Sequence, residues 1–340
     1  MSSQVTLKEI AEELGLSAMT VSRAINNKSN VDEKTRERVL EKAKSMGYTP
    51  NHVAKSLVSK KTYTIGVVIP EISHAFFPEV VRGIEEVTYS TNYHLILTHS
   101  AEQFEREKGA INTLRAKRVD GILISSSQTT DDYSFYEEVI NSGIPVVFFD
   151  RCIENLGASC VSVNDKESSK LATEHVISHG YEKIAHLSGP LEVSIGRERY
   201  EGYREALEEA GLSVRDQWIV QSGYQEKGGY GAMQKLLALP EQERPRAVVA
   251  VNDPVAFGAI DAIREHGLSI PEDIAIVGFT DEVRSELVSC PLTTIHQPAY
   301  EVGKRGAQKL ISTIEDDEPV IENIEIATEL VIRKSCGCNG

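Results

Sequence analysis

The chain has 340 residues, 41% hydrophobic and 26% charged, and its 36 Lys and Arg against 51 Asp and Glu give a formal net charge of −15 at pH 7. That composition suits a globular protein longer than one typical domain of about 100 to 200 residues. The five cysteines, Cys152, Cys160, Cys290, Cys336 and Cys338, are odd in number and scattered, which does not resemble a disulfide framework. No stretch approaches the roughly 18 apolar residues of a membrane span, and the opening MSSQVTLKEIAEEL lacks the apolar core of a secretory signal, so a reducing, cytoplasmic compartment is expected.

The charge is segregated. Residues 1–61 hold eleven Lys and Arg against seven Asp and Glu, a net of +4, so the remaining 25 and 44 leave the body at −19. From Gly47 to Lys61 there is no acid at all. A basic head on an acidic body suits a molecule that meets a polyanion with one end only.

In chain order, Leu7, Ile10, Ala11 and Leu14 recur at i, i+3, i+4 and i+7, an amphipathic helix with Thr6 as its N-cap and Gly15 as its stop. Ser17 is placed to cap a second helix whose Val21, Ala24 and Ile25 pack on the first. A glycine-bearing turn of three or four residues between them makes a helix-turn-helix. A third helix follows, capped by Asp32, with Val39, Ala43 and Met46 inward and Gly47 ending it. The outward face of the second helix is Ala18, Met19, Ser22, Arg23 and Asn26, free of acids. Laid in a DNA major groove, Ala18 and Met19 would meet thymine methyls and Arg23 would pair with guanine, while the hydroxyls of Thr6, Ser17, Thr20 and Ser22 suit phosphate.

Asn51 to Val58, between Pro50 and a Ser/Lys linker, is compatible with a helix but shorter than the about 12 to 15 residues that hold alone in water. It should fold only when paired. Val53, Ala54 and Leu57 share a face, so two copies in a dimer can pack, with Leu57 wedged between base pairs from the minor groove. Asn51, His52, Ala54 and Leu57 are the expected DNA-contacting positions of this hinge.

Beyond it, β-branched runs at 64–70, 94–99, 121–126, 145–150, 160–164, 183–188, 247–252 and 274–279 mostly alternate with helical patterns at 78–91, 104–117, 167–179, 199–210, 226–238, 253–266 and 300–314. That alternation predicts parallel sheets covered by helices on both faces. Some 270 residues exceed one such sheet, so two similar subdomains are expected, with a ligand between them at the carboxyl ends of strands.

Catalysis finds no support. There is no G-x-x-x-x-G-K-[ST], G-x-G-x-x-G, G-x-S-x-G or H-E-x-x-H pattern. Cys336 and Cys338 form a C-x-C in a polar tail, but zinc needs two further ligands and the nine scattered histidines show no matching pair. No catalytic residue, cofactor or metal site is therefore expected.

The run T-L-K-E-I-A-E-E-L-G-L-S-A-M-T-V-S-R-A-I-N, then V-D-E-K-T-R-E-R-V and G-Y-T-P-N-H-V-A-K-S-L, resembles the DNA-binding head and hinge of the LacI/GalR family of bacterial transcription regulators. I-G-V-V-I-P (65–70), D-G-I-L-I (120–124), H-L-S-G-P (186–190), R-Y-E-G-Y (199–203), A-V-N-D (250–253), G-F-T-D (278–281) and P-L-T-T-I-H-Q-P (291–298) extend the resemblance over essentially the whole chain.

The resemblance implies a helix-turn-helix head (1–48), a hinge (49–61) and an α/β body of two doubly wound, periplasmic-binding-protein-like subdomains, 62–164 with 296–323 and 165–295 with 324–340. It also implies effector-contacting roles for Arg199, Asn252 and Thr280, with Tyr224, Phe76, Phe77 and Asn164 as wall or hydrogen-bonding groups, a set suited to a sugar or another polar ring. Position 280 departs from the family's frequent aspartate. The expected molecule is a cytoplasmic homodimeric repressor on a pseudo-palindromic operator with half-sites about 10 base pairs apart, controlled by a small-molecule effector, a carbohydrate by the same expectation. Only seven residues follow T-E-L-V-I-R at 328–333, which makes the dimer the default over a tetramer. The alternative, a sugar-binding protein of transport, would carry a signal peptide and no helix-turn-helix.

Overall fold

The computed structural model describes residues 5–48 and 61–338, and the chain separates into two compact units, Met1–Thr62 and Tyr63–Gly340. In the first, α1 (Leu7–Leu14), α2 (Ala18–Ile25) and α3 (Glu33–Ser45) form a small bundle. Thr6 and Glu9 cap α1 reciprocally: Thr6 Oγ1 accepts from the Glu9 N–H at 3.3 Å, and the Thr6 N–H donates to Glu9 Oε2 at 2.7 Å. Gly15 then takes φ +67°, a conformation strained for residues with a Cβ, and Ser17 accepts from the Thr20 N–H at 3.1 Å to open α2. Asp32 does the same for α3 at 3.0 Å. Ile10, Ala11, Val21, Ala24, Val39 and Ala43 are buried together, while Ile25 and Met46 are half-buried against them. Arg36 closes the α2–α3 loop by donating to Asn27 Oδ1 and, at 2.9 Å, to Lys28 O.

The body contains two six-stranded sheets. The first, in the order β11-β5-β4-β3-β1-β2, joins β1 (Thr64–Ile69), β2 (His94–His99), β3 (Gly121–Ile124), β4 (Val146–Phe149), β5 (Ser159–Val163) and β11 (Asn323–Ile326), all parallel. The second, in the order β12-β10-β9-β8-β6-β7, joins β6 (Ile184–Ser188), β7 (Ile219–Gln221), β8 (Ala247–Ala250), β9 (Ala275–Thr280), β10 (Thr293–His296) and β12 (Glu329–Val331). Here β12 is antiparallel to β10 and the other pairs are parallel. Central strands such as β3, β4 and β8 are buried along their whole length, as expected where helices cover both faces.

Those helices are α4 (Phe76–Ser90), α5 (Phe104–Ala116), α6 (Ser134–Asn141), α7 (Asp165–Ser178), α8 (Ser194–Glu209), α9 (Glu226–Leu237), α10 (Asp253–Glu265), the short α11 (Arg284–Leu287) and α12 (Ala299–Glu315). α4 and α12 touch backbone to backbone at two glycines: a Cβ on Gly83 would lie 2.1 Å from Tyr300 O, and one on Gly303 1.9 Å from Val80 O. The chain passes from the first sheet to the second after β5, returns after β10 and crosses again after β11.

The sequence does not reveal β7, β10, β11 or β12, because I-V-Q, T-T-I-H, N-I-E-I and E-L-V are short and mix in polar residues, unlike the wholly apolar β3, β4 and β8; α6 and α11, of eight and four residues, offer too few positions to fix a helical repeat. The cysteine count also misleads. Cys152 and Cys160 form a disulfide with Cα atoms 5.9 Å apart, since the chain leaving β4 doubles back within eight residues to enter the neighbouring β5, a closeness that counting cannot show.

Candidate functional site

On the head, α2 exposes Ala18, Met19, Arg23 and Asn26, with Thr20 and Ser22 half-buried beside them. Met19 is 63% exposed, and α2 holds no carboxylate that would pair with Arg23. The hydroxyls foreseen for phosphate also work locally: Thr6 is bound to Glu9, and Ser17 Oγ lies 2.9 Å from Thr20 Oγ1. Asn26 donates through Nδ2 to Ser22 O at 2.7 Å, closing the helix end. The hinge positions Asn51, His52, Ala54 and Leu57 lie outside the described residues.

In the body, the residues that directly follow strands converge between the two sheets. Asp150 and Arg151 leave β4, Asn252 follows β8, Thr280 and Glu282 close β9, and Gln297 follows β10; Phe76 and Phe77 begin α4, and Arg199 comes from α8. With Tyr224 they line one small cavity of about 30 Å³, room for about two waters. Six of the seven expected effector positions are thus brought together: Phe76, Phe77, Arg199, Tyr224, Asn252 and Thr280. Asn164 does not line this cavity. It caps α7, accepting from the Glu167 N–H at 3.1 Å, and lines an adjacent cavity of about 360 Å³ with Glu325 and Glu198.

Several of these groups are already engaged. Arg199, 2% exposed, donates to Asp165 Oδ1 through Nε at 2.7 Å and lies 2.6 Å from it through Nη2; Nη1 donates to Val251 O at 2.6 Å. Its guanidinium sits 3.6 Å from the centre of the Phe279 ring. Asn252 caps α10 and donates to Tyr224 O at 3.0 Å. Both therefore build the cleft as well as line it. Thr280, at φ +132°, is in a conformation rarely adopted by a residue with a Cβ.

Other groups are not satisfied. Arg151 donates to Glu102 Oε2 at 2.8 Å and its guanidinium lies 4.3 Å from the Tyr224 ring centre, yet Arg151 Nε and the Tyr224 hydroxyl are buried without hydrogen-bond partners. Leaving such groups unpaired costs about 1–3 kcal/mol each. Gln297 donates to Asp150 Oδ1 at 3.1 Å. Burial, opposed by Arg151, pushes the Asp150 carboxyl above its usual range. Burial, with Asp253 adding to it, lifts Glu282 to about 7, and burial lowers His74.

Sequence reasoning missed Asp150, Arg151, Glu282, Gln297 and His74. One signal could have found the first two: V-V-F-F-D-R places polar residues at the carboxyl end of a wholly apolar run, where α/β sheets bind ligands. It also missed a partner for the C-x-C. His175 and His179 lie one helical turn apart at the end of α7; Cys336 lies against His175, and Cys338 against both.

Residues 6–51 match the family model of bacterial regulatory proteins of the lacI family, and residues 62–334 that of periplasmic binding proteins and the sugar-binding domain of the LacI family. The chain is 35% identical over 330 residues to the HTH-type transcriptional repressor PurR of Mannheimia succiniciproducens, covering 97% of this chain and 98% of that one. It is 36% identical over 321 residues to catabolite control protein A of Priestia megaterium, covering 94% and 95%. Its structure superposes on the lac repressor dimer bound to operator and the anti-inducer ONPF with a TM-score of 0.88 at 28% identity, over 98% of this chain and 99% of that one. On the regulator CelR in its cellobiose complex the TM-score is 0.73 at 28% identity, over 98% and 100%.

Proposed function

The chain belongs to the LacI family of bacterial regulatory proteins, a DNA-binding transcriptional regulator with an effector-binding body, and from that premise we propose how its own residues do the work. It is a cytoplasmic homodimer that represses transcription. In each protomer α2 enters the major groove, where Arg23 reads guanine and Ala18 and Met19 lie against thymine methyls. The paired hinges bend the operator through Leu57. The body divides into subdomains at 62–164 with 296–323 and 165–295 with 324–340, and the effector sits between them against Arg151, Arg199, Tyr224 and Phe76.

The effector is a carbohydrate. Aromatic walls and fixed cationic donors suit a ring bearing hydroxyls, and the acceptor absent at Thr280 is supplied from Asp150 and Glu282, which line the same cavity. The observation that carries this reading is the cavity's size. At about 30 Å³ it falls an order of magnitude short of the about 300–1,000 Å³ typical of small-molecule sites. A ring-sized ligand must therefore part the two sheets, which changes the positions of the segments entering the body near residue 62 and so the geometry offered to the operator.

A thermal-shift screen with monosaccharides, disaccharides, sugar phosphates and nucleobases tests this directly. A carbohydrate should raise the unfolding midpoint of the wild type and do so less for Tyr224→Phe. A response to nucleobases alone, or an equal response in the variant, contradicts the assignment.

A further inference from the structure

We propose that His175, His179, Cys336 and Cys338 form a zinc site that fastens the C-terminal tail to the end of α7. His175 sits in the last turn of α7 and His179 caps it, so the i, i+4 spacing stacks both imidazoles on one side, with ring centres 4.6 Å apart. Two cysteines two residues apart share one side of an extended chain, but at about 3.3 Å of rise per residue they stand well apart along it. Here Gly337 between them takes φ +88° and its N–H donates to Lys334 O at 3.2 Å, a turn that draws the two sulfurs to 3.0 Å.

Three donor atoms, from His175, Cys336 and Cys338, lie within 4.8 Å of one another, and His179 touches the group through Cys338. Cys336 Sγ is 3.0 Å from Cys338 Sγ and 3.3 Å from His175 Nε2; Cys338 Sγ is 3.4 Å from His175 Nε2 and 3.0 Å from His179 Nε2. Zn–S bonds of about 2.3 Å and Zn–N bonds of about 2.0–2.1 Å in a tetrahedron set ligand atoms about 3.3–3.8 Å apart. His175, Cys336 and Cys338 reach that spacing by opening less than about 1 Å, and the exposed His179 completes the tetrahedron by swinging in from Cys338. Two thiolates and two imidazoles are a structural zinc set, whereas magnesium and calcium take oxygen.

The surroundings orient the donors. His179 Nδ1 lies 2.8 Å from His175 O, a hydrogen bond that fixes the proton on Nδ1 and leaves the Nε2 lone pair toward the sulfurs. Thr293 Oγ1, from β10, donates to Cys336 Sγ at 3.1 Å, which holds that sulfur in place. Cys336 is fully buried and His179 is exposed, so the site has a rigid floor and an entry path. Bound zinc would close the chain from α7 to the tail, a span that includes every strand of the second sheet.

The test uses the full-length, reduced protein, stripped with a chelator and dialysed against zinc. Elemental analysis should find one zinc per chain. His179→Ala, at an exposed position, should keep the far-ultraviolet dichroism of the wild type yet lose zinc affinity at least about 100-fold, beyond the range seen for outer-sphere changes, and the double change Cys336→Ser with Cys338→Ser should do likewise. Cobalt in place of zinc should give the intense visible bands of a tetrahedral site with thiolate charge transfer. Less than stoichiometric zinc, equal affinity in wild type and both variants, a weak octahedral cobalt spectrum, or a Cys336–Cys338 disulfide in the zinc-treated protein would each overturn the proposal.

Discussion

Tyr224 and Glu282 show how single residues hold the cleft in a state that favours occupation. The Tyr224 ring is pinned by Arg151 above it and by two glycines, since a Cβ on Gly189 would lie 2.7 Å, and one on Gly196 3.0 Å, from its hydroxyl. Because that hydroxyl is buried unpaired, Tyr224→Phe should leave stability unchanged or raise it by about 1 kcal/mol, measured by urea unfolding of the ligand-free protein; a loss of more than that would show that the hydroxyl has a partner. Glu282 carries a pH dependence. Its folded-state value near 7 exceeds the ordinary 4.5, so the folded protein holds this proton more tightly than the unfolded chain. The stability it contributes is complete below pH 4.5 and is lost as pH rises to about 7. Glu282→Gln should flatten the stability profile across that window relative to the wild type, and an unchanged slope would place the shift elsewhere. Arg199 was legible from R-Y-E-G-Y as a cleft residue. Its pairing with Asp165 was not, because the two are 34 residues apart and meet only when α7 packs on α8.

At the scale of elements, local chemistry carried most of the information. Thr6, Ser17 and Asp32 cap the three head helices where a short-range pattern places them, because caps depend on neighbours within three residues. The long strands and helices of the body were equally legible from buried runs and 3.6-residue repeats. β11 and β12 were not: N-I-E-I and E-L-V become strands by pairing with β5 and β10, partners far away in sequence. The helix contacts are similarly silent. Gly83 and Gly303 read as weak helix formers, yet they let α4 and α12 touch along their backbones. Gly303→Ala should therefore destabilise the body by at least about 1–3 kcal/mol through overpacking, although it improves helix propensity. Denaturant unfolding that shows a gain in stability would contradict the close crossing. The His175/His179 pair and the C-x-C belong to the same class, each short and readable alone, but joined only by the fold.

Across the whole molecule, charge and topology divide the labour. The head holds +4 and the rest −19, so attraction to phosphate is confined to one end and the body resists non-specific contact with DNA. Two sheets with their carboxyl ends facing a shared cleft give the ligand leverage that a single sheet would lack, because any occupant touches both. This layout was legible from the strand and helix count and from length, whereas the tightness of the cleft arises from side chains brought together from several separate loops and helices. The claim on which the account rests is that α2 reads base sequence. Selection from a random duplex pool at fixed salt should enrich a two-fold symmetric site with half-sites about 10 base pairs apart. Arg23→Ala should lose preference at one base per half-site, worth about 1–3 kcal/mol, while retaining the rest. No enriched site, or an identical one for Arg23→Ala, would contradict the account.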